Sequence, residues 1–128
     1  MRLLLDTHAF AWWALDDPAL SLGAHAAIFD ASNEVFVSAV SAWEMANKFR
    51  RGRWPQIAAV VANIATVIAA QGFNELPITI THAKAAGALP EPHRDPFDRI
   101  LIAQALAENM TVVSNERAFD AYGVSRIW

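Results

Sequence analysis

Four places along this chain carry carboxylates in positions where they could share one divalent cation: Asp6, Glu44, the Asp95/Asp98 pair and Glu116. Asp6 ends the apolar run Leu3-Leu4-Leu5, which reads as a buried strand, and a buried carboxylate without a partner is strongly penalised. Glu44 lies mid-helix between Trp43 and Met45, where little surface is free. Asp95 and Asp98 flank Pro96-Phe97, and Glu116 follows Val112-Val113 by three residues. Carboxylates brought together repel one another, and a bound cation is the usual remedy. A set of three or four oxygen donors, without Cys or paired His, selects Mg²⁺, with Mn²⁺ as a substitute, over Zn²⁺.

Each carboxylate also has a plainer reading. Asp6 can cap the following helix, and Glu44 can pair with Lys48 one turn on. Asp95, Pro96 and Asp98 have the order of a helix N-terminus with a capping box. Glu116 can favour a helix start through the dipole. Capping does not explain why His93, Arg94 and Arg99 crowd the same segment as Asp95 and Asp98; these residues suit a phosphate near a helix N-terminus. Of the four histidines, only His93 is placed to touch a substrate.

Positioning such a set requires a fold that brings strand ends together. Strand and helix signals alternate: strands at 2–5, 35–37, 75–78, 111–113 and 125–128, and helices at 8–16, 22–31, from Ser38 or Ser41 to Arg51, 56–71, from Thr79 or Thr81 to Leu89, 96–109 and 116–122. This predicts an α/β architecture, a three-layer α/β/α domain with a central, mostly parallel sheet of about five strands. In such sheets ligands bind at the carboxyl ends of the strands. The length of 128 residues predicts one domain, 1–128, burying about two thirds of its unfolded surface.

The net charge of −3 gives no whole-molecule attraction to nucleic acid, but Lys48, Arg50, Arg51 and Arg53 form a local basic run. It is either a phosphate-holding patch or a solvated helix end. With no Cys, disulfides and thiolate chemistry are excluded, and a reducing compartment is compatible. Asp6 and His8 interrupt the N-terminal apolar run too early for a signal peptide. The uncharged stretch from Trp54 to Asn74 is striped by Ile57, Val60, Val61, Ile64, Val67 and Ile68, which predicts a packed helix and not a membrane span.

The ordered segments Leu3-Leu4-Leu5-Asp6-Thr7-His8, Val37-Ser38 through Trp43-Glu44 and Lys48, His93-Arg94-Asp95-Pro96-Phe97-Asp98-Arg99 with Ile102-Ala103-Gln104-Ala105, and Val113-Ser114-Asn115-Glu116 with Ala118-Phe119 and Tyr122-Gly123-Val124 resemble the PIN-domain family, in particular its VapC-type ribonuclease toxins. The resemblance implies an Mg²⁺-dependent endoribonuclease with Asp6, Glu44, Asp98 and Glu116 as catalytic, metal-holding acids and Asp95 beside them. The family commonly has Thr-x-Asp at the fourth site, where this chain has Ser114-Asn115-Glu116, keeping a hydroxyl and a carboxylate. Lys48, His93, Arg94 and Arg99 would hold the RNA. Further implications are a cytoplasmic homodimer and a small antitoxin covering the groove, with Phe10, Trp12, Trp13 and Trp43 as aromatic anchors for it. The alternative is a catalytically inert PIN scaffold that binds RNA or protein.

Overall fold

The computed structural model describes residues 1–128. The Leu3-Leu4-Leu5 run shows why the sheet must be covered on both sides. Successive strand residues point to opposite faces: Leu3 and Leu5 enter one hydrophobic cluster with Phe10, Met45 and Ile57, and Leu4 enters another with Leu101, Ile102 and Phe119. All three are fully buried. A continuous apolar run is thus the signature of a strand buried twice over.

The strands are β1 (Arg2–Leu5), β2 (Glu34–Ser38), β3 (Asn74–Leu76), β4 (Thr111–Val113) and β5 (Arg126–Ile127). They form one sheet in the order β3-β2-β1-β4-β5, and every pairing is parallel. The helices are α1 (Thr7–Ala14), α2 (Leu22–Phe29), α3 (Ala39–Arg50), α4 (Ala58–Ala62), α5 (Ile64–Ala70), α6 (Ile80–Ala88) and α7 (Pro96–Ala107), with 3-10 turns at Pro55–Ile57 and Arg117–Tyr122. Residues of α1, α2, α4 and α5 fill the first cluster; α7 and the Arg117–Tyr122 turn fill the second. The α/β/α layering is the one the sequence predicts.

Chain progression runs outward from β1 through β2 to β3 on one side, then returns to β4 and β5 on the other. The order reverses between β1 and β4, and the crevice beyond that point is where an open parallel sheet binds ligands. The Asp6 amide donates to the Val113 carbonyl at 3.1 Å, holding the two strand ends together at the crevice.

One expected element differs. The striped segment 56–71 is not a single helix: it breaks at Asn63, whose φ of −142° and ψ of 39° are not helical. Val60, Val61, Ile64, Thr66, Val67 and Ile68 are β-branched and stiff in a helix, and an Asn competes for backbone groups. The stripe survives the break. Ile57, Val60 and Ile68 are buried, and Val61, Ile64 and Val67 pack beside them. The third strand stops at Leu76, before Pro77, which has no amide to continue the ladder. No helix is long and apolar enough to cross a membrane.

Candidate active site

The crevice is a cleft of about 310 Å³. Its ten lining residues include all five carboxylates named from the sequence, Asp6, Glu44, Asp95, Asp98 and Glu116, and one cation, Lys48. They arrive from separate elements: the end of β1, mid-α3, the first turn of α7 and the segment after β4.

Asp6 caps α1, its Oδ1 accepting from the Ala9 amide at 2.7 Å. It is also buried. Burial pushes its carboxyl above the ordinary value, against the pull of the Ser114 hydroxyl, the Ala9 amide and His8; the nearby Glu44 charge adds to the rise. A cap needs no such burial, so capping does not exhaust its role.

Glu44 is 4% exposed. Its Oε2 accepts from Lys48 Nζ at 2.6 Å, so the helix pair read from spacing is present. Its Oε1 accepts from Thr7 Oγ1, also at 2.6 Å. Ser41 Oγ stands 3.0 Å from the same Thr7 hydroxyl. Because Thr7 has one proton and gives it to the carboxylate, Ser41 is the donor in that second bond.

Asp95 and Asp98 make different contacts. Asp95 is the cap, accepting from the amides of Phe97 at 2.9 Å and Asp98 at 3.3 Å. The Asp98 carboxylate is used differently: its Oδ2 lies 2.9 Å from His93 Nε2. Burial raises Asp98 to about 6, partly offset by the His93 hydrogen bond, while the Asp95 and Glu44 charges push it further up. Glu116 is exposed and caps the Arg117–Tyr122 turn, accepting from the Ala118 amide at 3.0 Å. Its own amide donates to Ser114 Oγ at 2.9 Å.

No three His, Asp or Glu side chains are already drawn to metal-ligating geometry. Each inner carboxylate has a local partner instead, Glu44 with Lys48 and Asp98 with His93. The donor set nevertheless fits a hard divalent cation. It is rich in carboxylate oxygen, and Asp6 and Asp98 are both held above their ordinary values, chiefly by burial, with the Glu44 charge adding to each rise.

The expected phosphate contacts separate. Lys48 lines the cleft. His93 reaches it through Asp98, and its amide donates to the Tyr122 hydroxyl. Arg94 is exposed and paired with Glu91 at 3.3 Å, outside the cleft lining. Arg99, also expected to meet a phosphate, lies outside the cleft lining. Its guanidinium donates to the carbonyls of Ala86 at 3.1 Å and His93 at 2.8 Å, and to that of Leu89, clamping the connection between α6 and α7. Phe10 is fully buried in the core, which removes it as an anchor for a partner. Conversely, Thr7, His8, Trp12 and Asn115 line the cleft without having been singled out as site residues. For Thr7 the signal was present: a hydroxyl directly after Asp6, in a segment too buried to leave it unpartnered.

Comparison with known proteins identifies the family. A model of the PIN domain matches residues 3–124, spanning every element that contributes to the cleft. Ribonuclease VapC22 of Mycobacterium tuberculosis is 30% identical over 116 residues, covering 90% of this chain and 87% of that protein. Among solved structures, Rickettsia felis VapBC2 bound to a DNA fragment from its promoter superposes with a TM-score of 0.65 at 13% identity, covering 98% of this chain and 97% of that one. Mycobacterium tuberculosis VapC20, a sarcin–ricin loop cleaving toxin, gives 0.64 at 18% identity, covering 95% of each chain. With the family model spanning nearly the whole chain and a VapC relative at this identity, the chain belongs to the PIN-domain family and is of the VapC type.

Proposed function

We propose that this protein is a divalent-metal-dependent endoribonuclease toxin, neutralised by a small antitoxin. The observation that carries the proposal is the convergence of Asp6, Glu44 and Asp98, from β1, α3 and α7, on one cleft at the strand ends. Asp6, Glu44 and Asp98 would hold Mg²⁺ or Mn²⁺, with Asp95 and Glu116 at its margin. The bound ion would supply an activated water and offset charge on the scissile phosphate.

The chain's own residues do the positioning. Thr7, itself bonded to Ser41, holds the Glu44 carboxylate from one side, and His93 orients Asp98. Lys48 is the cation at the cleft wall; freed from Glu44, it is placed to meet an RNA phosphate. Single-stranded RNA is the accessible substrate, because paired bases are hard to reach.

Support for a protein partner comes from large apolar side chains left exposed on α2, α3 and α6: Leu22 is 90% exposed, Ile80 89%, Phe29 75% and Trp43 59%. The relatives include a VapBC assembly. A homodimer that works in the cytoplasm completes the proposal. The test is incubation of purified, antitoxin-free protein with RNA: cleavage with Mg²⁺ or Mn²⁺ and none with EDTA supports it, and metal-independent or absent cleavage contradicts it.

A further inference from the structure

The acidic cleft is flanked by a row of aromatic rings that the carboxylate chemistry does not use. His8 and Trp12 are one helical turn apart on α1, so their side chains share a face. Their ring centroids are 5.4 Å apart. His8 also lies 4.7 Å from Trp54, with planes tilted by 30°, and Trp12 lies 5.8 Å from Trp128. Four aromatic side chains from α1, the α3–α4 connection and the C-terminus thus form a run of neighbouring rings, Trp54–His8–Trp12–Trp128. The three Trp side chains pack on the core, but none of the four is fully buried, and His8 and Trp12 open onto the cleft beside Asp6.

Two charges mark what this row could face. Lys48 Nζ is 5.9 Å from the Trp54 ring centre while holding Glu44, so one ammonium joins the aromatic row to the acidic site. Beyond it, Arg50, Arg51 and Arg53 are all exposed at the end of α3. Aromatic faces with an ammonium against one ring and exposed cations at the end of the same helix match the needs of a single nucleic-acid strand, whose bases stack on rings while its phosphates meet the cations. A protein segment does not need that combination. We propose that the His8–Trp12–Trp54 row is a nucleobase-binding subsite, stacking an unpaired base next to the scissile phosphate. The assignment rests on the ribonuclease reading and adds to it a place for the substrate's base.

The test compares two ligands of equal length and phosphate charge: a short oligoadenylate and the corresponding abasic ribose-phosphate oligomer. Binding is measured by fluorescence anisotropy with Ca²⁺ replacing the catalytic ion, to keep the strand intact. The wild type should bind the oligoadenylate about 5- to 150-fold more tightly than the abasic strand, the range given by one base–aromatic stack. Trp12→Leu and Trp54→Leu should each shrink that ratio without changing affinity for the abasic strand. Phe29→Leu, at an exposed ring on α2, should leave it unchanged. Equal affinity of the wild type for both strands overturns the subsite, as does a ratio unaffected by Trp12→Leu, which would assign the ring to the core or to a protein partner. The first comparison needs no variant, so a misfolded Trp12→Leu does not shield the proposal. RNA cleavage in Mg²⁺ separates the two readings: a wild type that cleaves but shows no base preference loses only the subsite, whereas one that cleaves nothing loses both.

Discussion

Thr7 Oγ1 donates to Glu44 Oε1 at 2.6 Å, joining the first turn of α1 to the middle of α3 across the floor of the cleft. Thr7 directly follows Asp6, so this single bond fixes the spacing between two carboxylates that come from different elements. Without it, a nearly buried oxygen of Glu44 would have no donor on that side.

The bond predicts a clean pair of variants. Thr7→Val keeps the volume and removes the donor, and should cost about 1–3 kcal/mol of stability through the unsatisfied carboxylate oxygen. It should also lower cleavage at least tenfold, with a raised requirement for divalent ion. Thr7→Ser should restore most of both. Thermal unfolding and an Mg²⁺ titration of the cleavage rate check the two halves.

A pH prediction follows from Asp98, held at about 6 against an ordinary 3.8. The folded, metal-free protein binds this proton more tightly than the unfolded chain does. The associated stability is therefore fully present below 3.8 and is lost as pH rises through about 6. The melting temperature of metal-free protein should decline across that window, and Asp98→Asn should flatten the decline. At limiting metal, cleavage should run the opposite way, rising through about pH 6 as the proton stops competing with the ion. Differential scanning fluorimetry and a pH–rate profile measure the two trends.

Lys48 and Arg99 should behave in contrasting ways. Lys48→Gln removes the cation at the cleft wall. It should weaken RNA binding and reduce the slope of log affinity against log salt by about 0.7, the value for one phosphate contact on a single strand. Arg99→Ala should leave that slope unchanged and instead lower stability by about 1–3 kcal/mol, since several carbonyls between α6 and α7 lose their donor. Salt titrations of binding, run alongside urea melts, distinguish them.

How far the sequence could be read depended on how local each cause was. The strand at Leu3-Leu4-Leu5 and the acid behind it were legible, because burial on both faces leaves an uninterrupted apolar run ending at the cleft. The stripe through Ile57 and Ile68 was legible as a buried face, but the break at Asn63 was not, since periodicity persists across a kink. Residue type alone does not separate Asp95 from Asp98, because a cap and a ligand call for the same side chains; only the family resemblance set Asp98 among the acids and Asp95 beside them. Their partners in the fold differ: backbone amides for Asp95, His93 for Asp98. For a related reason, what Arg99 touches was not legible. Its partners are carbonyls of a connecting segment, which carry no signal in residue type, whereas a phosphate role is suggested by charge alone.

The central claim is that carboxylates from separate elements act as one divalent-ion site, and calorimetric titration of the protein with Mn²⁺ tests it most directly. The wild type should bind the ion, and Asp6→Asn and Asp98→Asn should each weaken binding at least tenfold while circular dichroism shows the fold retained. Unchanged Mn²⁺ affinity in both variants would contradict the account.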